Sequence, residues 1–347
     1  MKKQLIGNIN PFVIIKLKKV NTIMKYFVHV LFFIFIFNIN NIKASETNIS
    51  LNQDQVRQSI VDTLKTLNEF YVFPEKAKEV ESIIIDRMNK GAYDHIKTTE
   101  EFGDFITDEL IEVSTDGHLG IMLVKDKDAK PTPVIIEVED EYKYNYAFQK
   151  LEVLSGNVGY LKFNKFYIDE EAVETVDYAF GFLKNTDAMI IDLRDCKGGS
   201  PILTLYMLSH FFSEKTLLWN IHTRGVEEIY ENNSIVGIGS PKFKSHYPLY
   251  ILVGPDTASA GEIFSYTLKH FNKATIVGEK TLGIAHPVEA FKINKYFIGR
   301  FSMRRITNPI TNTDWEVVGV LPDIKSSSDK SLNVAHTKAL EALSQKR

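Results

Sequence analysis

The sequence predicts an α/β protein: a layered α/β core preceded by an N-terminal helical bundle. Three observations carry that expectation. Residues 52–115 place apolar side chains at helical spacing, β-type runs begin only after Asp116, and helical patterns separate several of those runs. The chain has 347 residues, 44% of them hydrophobic and 24% charged. That composition fills a sizeable core and excludes disorder, collagen and a disulfide scaffold. The single cysteine, Cys196, forms no intramolecular disulfide and excludes a multi-cysteine zinc or iron–sulfur site.

Residues 1–44 carry seven lysines and no acid, and 26–37 is an apolar run broken only by His29. About a dozen apolar residues suit a signal peptide and fall short of the roughly 20 that span a bilayer. Ala44 before Ser45 offers a cleavage point. The expectation is an export signal over 1–44, with an uncleaved anchor as the alternative and Met24 as a second candidate start. No cysteine follows the apolar run, which argues against a lipoprotein anchor, and no later segment is apolar and long enough to span a membrane. The whole chain has net charge -3 from 41 Lys+Arg and 44 Asp+Glu; without the seven leader lysines, 34 against 44 leaves -10 for residues 45–347. An exported, acidic protein, periplasmic or extracellular, argues against nucleic acid and anionic membrane surfaces as partners.

The bundle is expected over 45–115. Val56, Ile60, Leu64 and Leu67 mark a first helix ending before Pro74. A second runs from about Glu75 to Lys90, stopped by Gly91. Thr98 and Glu101 form a capping-box pair opening a third, with Phe102, Phe105, Ile106, Leu110 and Val113 on one face. The core, 116–330, shows β-type runs at 133–138, 142–148, 158–163, 189–193, 249–253, 275–277, 289–293 and 296–303. Helical patterns lie near 170–184, 201–212 and 259–271. Residues 331–347 read as a C-terminal surface helix.

Four stretches carry chemistry. Ser259 follows a buried strand and a tight turn at the start of a helix. A nucleophile there meets positive potential and backbone N–H donors, and serine is equally a preferred N-cap. Gly198 and Gly199 end a strand whose tip holds Asp192 and Arg194. They can present amides to an oxyanion or simply form a strand-to-helix loop, with Asp192 and Arg194 paired to hold it. His118 sits in a loop and can act as a base near neutral pH or be a structural histidine. Glu316, beside Trp315, can orient a catalytic histidine or belong to a tryptophan-anchored turn.

Together these stretches resemble the tail-specific (C-terminal-processing) serine peptidase family, in the branch related to interphotoreceptor retinol-binding protein and the tricorn core protease. The motifs fall in the family's order across 116–324. They are Asp116-Gly117-His118-Leu119; Ile191-Asp192-Leu193-Arg194 with Gly198-Gly199; Thr257 to Glu262; Gly278 to Gly283 with Ala285-His286-Pro287; and Asn308 to Glu316 leading to Gly319-Val320 and Pro322-Asp323. The resemblance implies a ClpP/crotonase-like core. It implies Ser259 as nucleophile, His118 as base, Glu316 as the base's acid partner, and an oxyanion hole from Ala260 and the Gly198–Gly199 loop. The implied substrate is a peptide or an unfolded protein tail, and the implied alternative is a non-catalytic module binding an apolar, retinoid- or lipid-like ligand.

The sequence departs from the family at several points. Ile284 stands where Ser–Lys members carry the lysine, and Lys280 is offset from that position. Cys196 replaces an asparagine. Gly117 replaces the serine that tricorn-like proteases use to relay to the glutamate. His286 is the rival base, and too few residues separate His118 from Val158 for a PDZ domain. No cofactor or metal motif is present, and the oligomeric state stays open.

Overall fold

The computed structural model describes residues 48–124, 141–167 and 170–345, so the leader over 1–44 and the strand expected at 133–138 lie outside the described residues. The three expected N-terminal helices are Gln53–Phe70, Pro74–Asn89 and Thr99–Ser114. Asn52 caps the first through a reciprocal pair with Gln55. At the third, Thr98 Oγ1 accepts from the Glu101 amide at 3.2 Å, but the Glu101 carboxylate turns to the Lys97 amide at 2.7 Å. The capping box read from the sequence is therefore half formed.

The helices bury Val56, Ile60, Leu64, Leu67, Phe102, Ile106 and Leu110 in one core, which also takes in Leu119, Ile121, Phe297 and Phe301. The last four belong to an antiparallel three-stranded sheet of Gly120–Leu123, Phe297–Ser302 and Val288–Lys292, or stand at its edge. The helical region thus shares its interior with chain from far downstream.

The central sheet has six strands in the order Ile324–Lys325, Thr275–Gly278, Leu249–Val253, Ala188–Asp192, Val158–Phe163, Phe148–Leu154. All neighbours are parallel except the last pair. Ala188–Asp192 and Leu249–Val253 are buried along their whole length, as strands covered on both faces must be. On one face Val158, Tyr160, Ala188, Ile190, Leu252 and Val277 pack against Ala335 and Ala339 of the tail helix Ser331–Ser344. The alternate residues Leu161, Ile191 and Ile251 are buried on the other face. Helices follow at Glu170–Leu183, Pro201–Ser209 and Ala260–His270, as the sequence predicts.

One difference has a physical cause. The β-type run at 142–148 is a 3-10 segment, Glu141–Ala147, with the strand starting only at Phe148. Alternating tyrosines imitate a strand there, but Asn145, Tyr146 and Ala147 adopt φ of 49°, 49° and 66°, which no extended chain can use. The run expected at 296–303 is the strand Phe297–Ser302 of the helical region's sheet, and beyond it Arg304–Thr307, outside the expected runs, joins a second small sheet with Leu217–Thr223 and Tyr230–Asn233.

Candidate active site

Three loops meet where parallel strands of the central sheet end: 193–200 after Ala188–Asp192, 254–259 after Leu249–Val253, and 279–287 after Thr275–Gly278. Carboxyl ends of parallel strands are where open α/β sheets form crevices. Asp192 is fully buried. Burial raises its pKa, yet Arg194 and the Tyr160 hydroxyl overcome that and hold the carboxyl below its ordinary range. Arg194 Nε lies 2.9 Å from Asp192 Oδ1 and Tyr160 donates to Oδ2 at 2.6 Å, so the pair holds the loop as the sequence suggests.

Backbone bonds tie the glycine loop to the serine turn. The Ala258 amide donates to the Cys196 carbonyl at 2.9 Å, and Thr257 Oγ1 donates to the Leu193 carbonyl at 2.8 Å. Gly198 and Gly199 have φ of 99° and 132°. A Cβ on Gly198 would lie 2.8 Å from Ser259 Cβ and 3.2 Å from the Ala260 amide nitrogen, so the loop abuts the serine as closely as a glycine allows. Cys196 is buried with its thiol against the Gly198 amide, and burial pushes its pKa up to about 12.

Ser259 caps Ala260–His270 and is half-buried, with φ 50° and ψ -115°. An ordinary N-cap is extended. Ser259 instead occupies a left-handed φ that a non-glycine residue keeps only when its surroundings impose it. The Ser259 amide is held by Glu262, which ends the Thr257–Glu262 motif and stands at capping-box spacing from Ser259. Glu262 is fully buried and accepts four bonds: from the Ser259 amide at 2.9 Å, Gly283 at 2.7 Å, Ile284 at 2.9 Å, and the Thr281 hydroxyl. Burial pushes its carboxyl up to about 6 against the pull of those bonds.

A second cluster gathers around His118. Its amide donates to Asp116 Oδ1 at 2.9 Å, and its Nδ1 lies 3.2 Å from the same oxygen. Glu316 Oε1 is farther from Nδ1, at 4.0 Å. The Tyr71 hydroxyl donates to Asp116 Oδ2 at 3.1 Å, and Arg300 Nε donates to the His118 carbonyl at 2.7 Å. Asp116, absent from the candidates drawn from the sequence, is therefore the nearer carboxylate. Its place two residues before His118 is the only sequence signal for it. Burial lowers the His118 pKa more than Asp116 raises it, so the imidazole favours its neutral form. Burial raises Asp116, but His118 and His286 hold it well below the usual carboxylate range.

Glu316 stands beside both histidines, with Oε2 3.4 Å from His286 Nδ1, and accepts from the Ala285 amide at 2.6 Å. Burial, with Asp116 and Asp314 nearby, pushes it up to about 7 against the pull of His286. His286 is buried against the edge of the Phe73 ring. Burial lowers its pKa, but Asp116, Asp314 and Glu316 overcome that and raise it to about 9. Trp315 Nε1 anchors the turn on the Ile284 carbonyl at 3.2 Å.

The structure thus brings Ser259, Ala260 and the Gly198–Gly199 loop into one cluster, and His118, Asp116, Glu316 and His286 into another. One loop joins them, because the amides of Ile284 and Ala285 are held by Glu262 and Glu316 respectively. Lys280 does not enter either cluster; its Nζ donates to the Val317 carbonyl at 3.3 Å and is exposed. Among the described residues, no helix is long and apolar enough to cross a membrane.

The profile of Peptidase family S41 matches residues 157–326, and that of the N-terminal domain of Peptidase_S41 in eukaryotic IRBP matches residues 44–151. Among named relatives, the carboxyl-terminal-processing peptidase 2, chloroplastic, of Arabidopsis thaliana is 30% identical over 171 residues, 49% of this chain and 32% of that protein. The chain spans about a third of the length of that relative. A candidate peptidase from Parabacteroides merdae superposes with a TM-score of 0.61 at 20% identity, covering 82% of this chain and 96% of the other. The photosystem II D1 C-terminal processing protease does so with a TM-score of 0.50 at 14% identity, over 79% of this chain and 93% of the other. At those identities the likeness is one of fold, and it agrees with the α/β, ClpP/crotonase-like core and helical N-terminal region.

Proposed function

The chain belongs to peptidase family S41, and from that premise we propose that it is a serine-type peptidase acting on peptides or unfolded protein tails, with Ser259 as nucleophile and His118 as general base. The observation that carries the reading is the Ser259 backbone at φ 50°, its amide held by a fully buried Glu262 while Gly198 lies against its Cβ. A serine kept only as a helix cap needs neither the strained φ nor a side-chain-free neighbour.

In this mechanism His118 Nε2 takes the Ser259 Oγ proton as Oγ attacks the substrate carbonyl. Asp116 holds the Nδ1–H tautomer and Glu316 adds negative charge beside the imidazolium that forms. The tetrahedral oxyanion is stabilised by the Ala260 amide, at the N-terminus of an 11-residue helix, and by the glycine loop. Because the Gly198 amide faces the Cys196 thiol, Gly199 is the loop donor we assign to the hole. His118 then protonates the leaving amine, and water releases the acyl group by the reverse sequence.

Ser259→Ala is expected to abolish both peptide hydrolysis and fluorophosphonate labelling of the chain. Hydrolysis at the wild-type rate by that variant would refute the assignment. The lysine-rich, acid-free stretch over 1–44 supports the further reading that the peptidase is exported. N-terminal sequencing of the protein recovered outside the cytoplasm is expected to begin at Ser45; a start at Met1 or Met24 would contradict signal cleavage.

A further inference from the structure

We infer that Asp116, His118, His286 and Glu316 form a binding site for a divalent cation of the zinc type, and that its occupancy switches the peptidase off. The inhibitory half rests on His118 being the base; the binding half does not. The four residues alternate around a closed ring, each carboxylate turning one oxygen to each imidazole. His118 Nδ1 is 3.2 Å from Asp116 Oδ1 and 4.0 Å from Glu316 Oε1, and His286 Nδ1 is 3.4 Å from Glu316 Oε2 and 3.9 Å from Asp116 Oδ2. Ligands about 2.0–2.1 Å from a tetrahedral zinc are about 3.3–3.4 Å from one another. Two of these pairs already have that length; the other two have to close by about 0.5–0.7 Å, with one oxygen of each carboxylate turning to the ion. Ligand atoms of Asp116, His118 and Glu316 all lie within 4.8 Å of one another.

A separate observation points the same way. His286 is 3% exposed, and neither ring nitrogen makes a hydrogen bond. Its Nδ1 is aimed into the ring, 3.4 Å from Glu316 Oε2 and 3.9 Å from Asp116 Oδ2, and ligating a cation there means giving up the proton those carboxylates favour. Its Nε2 faces Asp314 Oδ2 at 3.8 Å, and Asp314 is held by Arg305 Nε at 2.7 Å. A carboxylate behind a ligating imidazole is the outer partner that metal-bound histidines have. Two imidazoles and two carboxylates suit a borderline-soft cation, and the two carboxylates balance its charge. Glu316, 12% exposed at the side chain, gives the ring its open edge.

Inhibition follows from the tautomer. A cation on His118 Nδ1 occupies that lone pair, so the proton of the neutral ring moves to Nε2. Nε2 then has no lone pair to accept the Ser259 proton.

The test is zinc titration of the full chain, stripped of metal beforehand, in competition with a chromophoric chelator. One equivalent is expected to bind, at least tenfold more weakly in His286→Gln and Glu316→Gln, and unchanged in His246→Gln. Asp314→Asn, which leaves all four ligands in place, should weaken binding about ten- to a hundredfold. Zinc-edge X-ray absorption should show nitrogen and oxygen ligands only, and matching thermal melts of the metal-free variants exclude misfolding as the cause. Binding that survives His286→Gln, Glu316→Gln and Asp314→Asn alike would overturn the site whatever the activity. Zinc should inhibit hydrolysis of a fluorogenic unstructured peptide over the concentration range in which it binds, and chelator should restore it. Binding without inhibition would overturn the switch. Binding by a chain that hydrolyses nothing even with chelator would leave the site standing and refute the peptidase reading.

Discussion

His118 Nδ1 lies 3.2 Å from Asp116 Oδ1, while Glu316 Oε1 stands at 4.0 Å. Only the first distance approaches hydrogen-bonding range. If His118 is the base, as proposed, Asp116 is the group that fixes its tautomer and Glu316 acts by charge. Asp116→Asn is expected to lower kcat by about 10³–10⁴-fold, as loss of the tautomer-fixing acid does in a serine triad. Glu316→Gln should cost much less, about tenfold. Steady-state kinetics on an unstructured peptide decide the order, and a larger loss in Glu316→Gln would reverse the two roles.

The buried environment sets the acid limb of the pH profile. Burial holds the His118 pKa below its ordinary value near 6.5, and Asp116 partly restores it. The base is lost as pH falls through that depressed value, so the midpoint of kcat/KM should lie below about 6.5. Removing the restoring charge in Asp116→Asn should move the midpoint lower still. A midpoint above 6.5, or an upward shift in the variant, would contradict this ordering of the two effects.

Glu262 links the two clusters, so its loss should be felt at both. In Glu262→Gln one oxygen becomes an NH₂ facing amide donors. The expected destabilisation is about 1–3 kcal/mol from buried donors left unsatisfied, measured as a lower urea midpoint at constant m. The wild-type contribution also depends on pH. A carboxyl raised from 4.5 to about 6 in the fold stabilises fully below 4.5 and ceases to do so as pH rises through 6. The Glu262→Gln deficit should accordingly shrink between pH 4.5 and 6. A deficit flat across that window would place the titration elsewhere.

Gly198 faces Ser259 and Gly199 faces the Phe166 backbone, and alanine separates their roles. A Cβ on Gly199 would lie 2.1 Å from the Phe166 carbonyl oxygen, so Gly199→Ala should unfold the local structure and lower Tm by several degrees. Gly198→Ala crowds the serine at 2.8 Å and should abolish fluorophosphonate labelling with a smaller change in Tm. The buried Cys196 thiol between these loops, raised to about 12, should resist alkylation by iodoacetamide in the native state and react once unfolded. Native-state alkylation would show that the loop opens.

The helices and the central sheet were legible because their signals are local. Val56 to Leu67 repeat at helical spacing, and Ala188–Asp192 is a short apolar run ended by charge. The 3-10 segment Glu141–Ala147 was not, because alternating aromatics score as a strand whatever their φ. The site was legible in part. Ser259, Gly198 and Gly199 are picked out by turn chemistry, His118 as a loop histidine and Glu316 by its place beside Trp315, and the resemblance adds their expected roles. Asp116 and Glu262 stand inside the motifs that carry the resemblance, but nothing local marks either as part of the site. Their distinction is long-range burial: Asp116 beneath Tyr71 and Glu262 beneath Thr281 and Gly283. Residues 116, 286 and 316 gave no ligand-spacing motif for the same reason.

The hydroxyl of Tyr71 on Asp116, and the packing of Phe297 and Phe301 against the first three helices, carry a consequence for the order of assembly. The His118 cluster draws its parts from positions 71, 116, 286 and 316. Contacts so distant along the chain close late in folding, after the loops between them have been drawn in. A chain whose fold is incomplete between the first helix and Glu316 holds the side chains of the cluster without their arrangement. On the proposed reading, the base cluster is complete only once its last long-range contact closes, so activity waits on the finished fold.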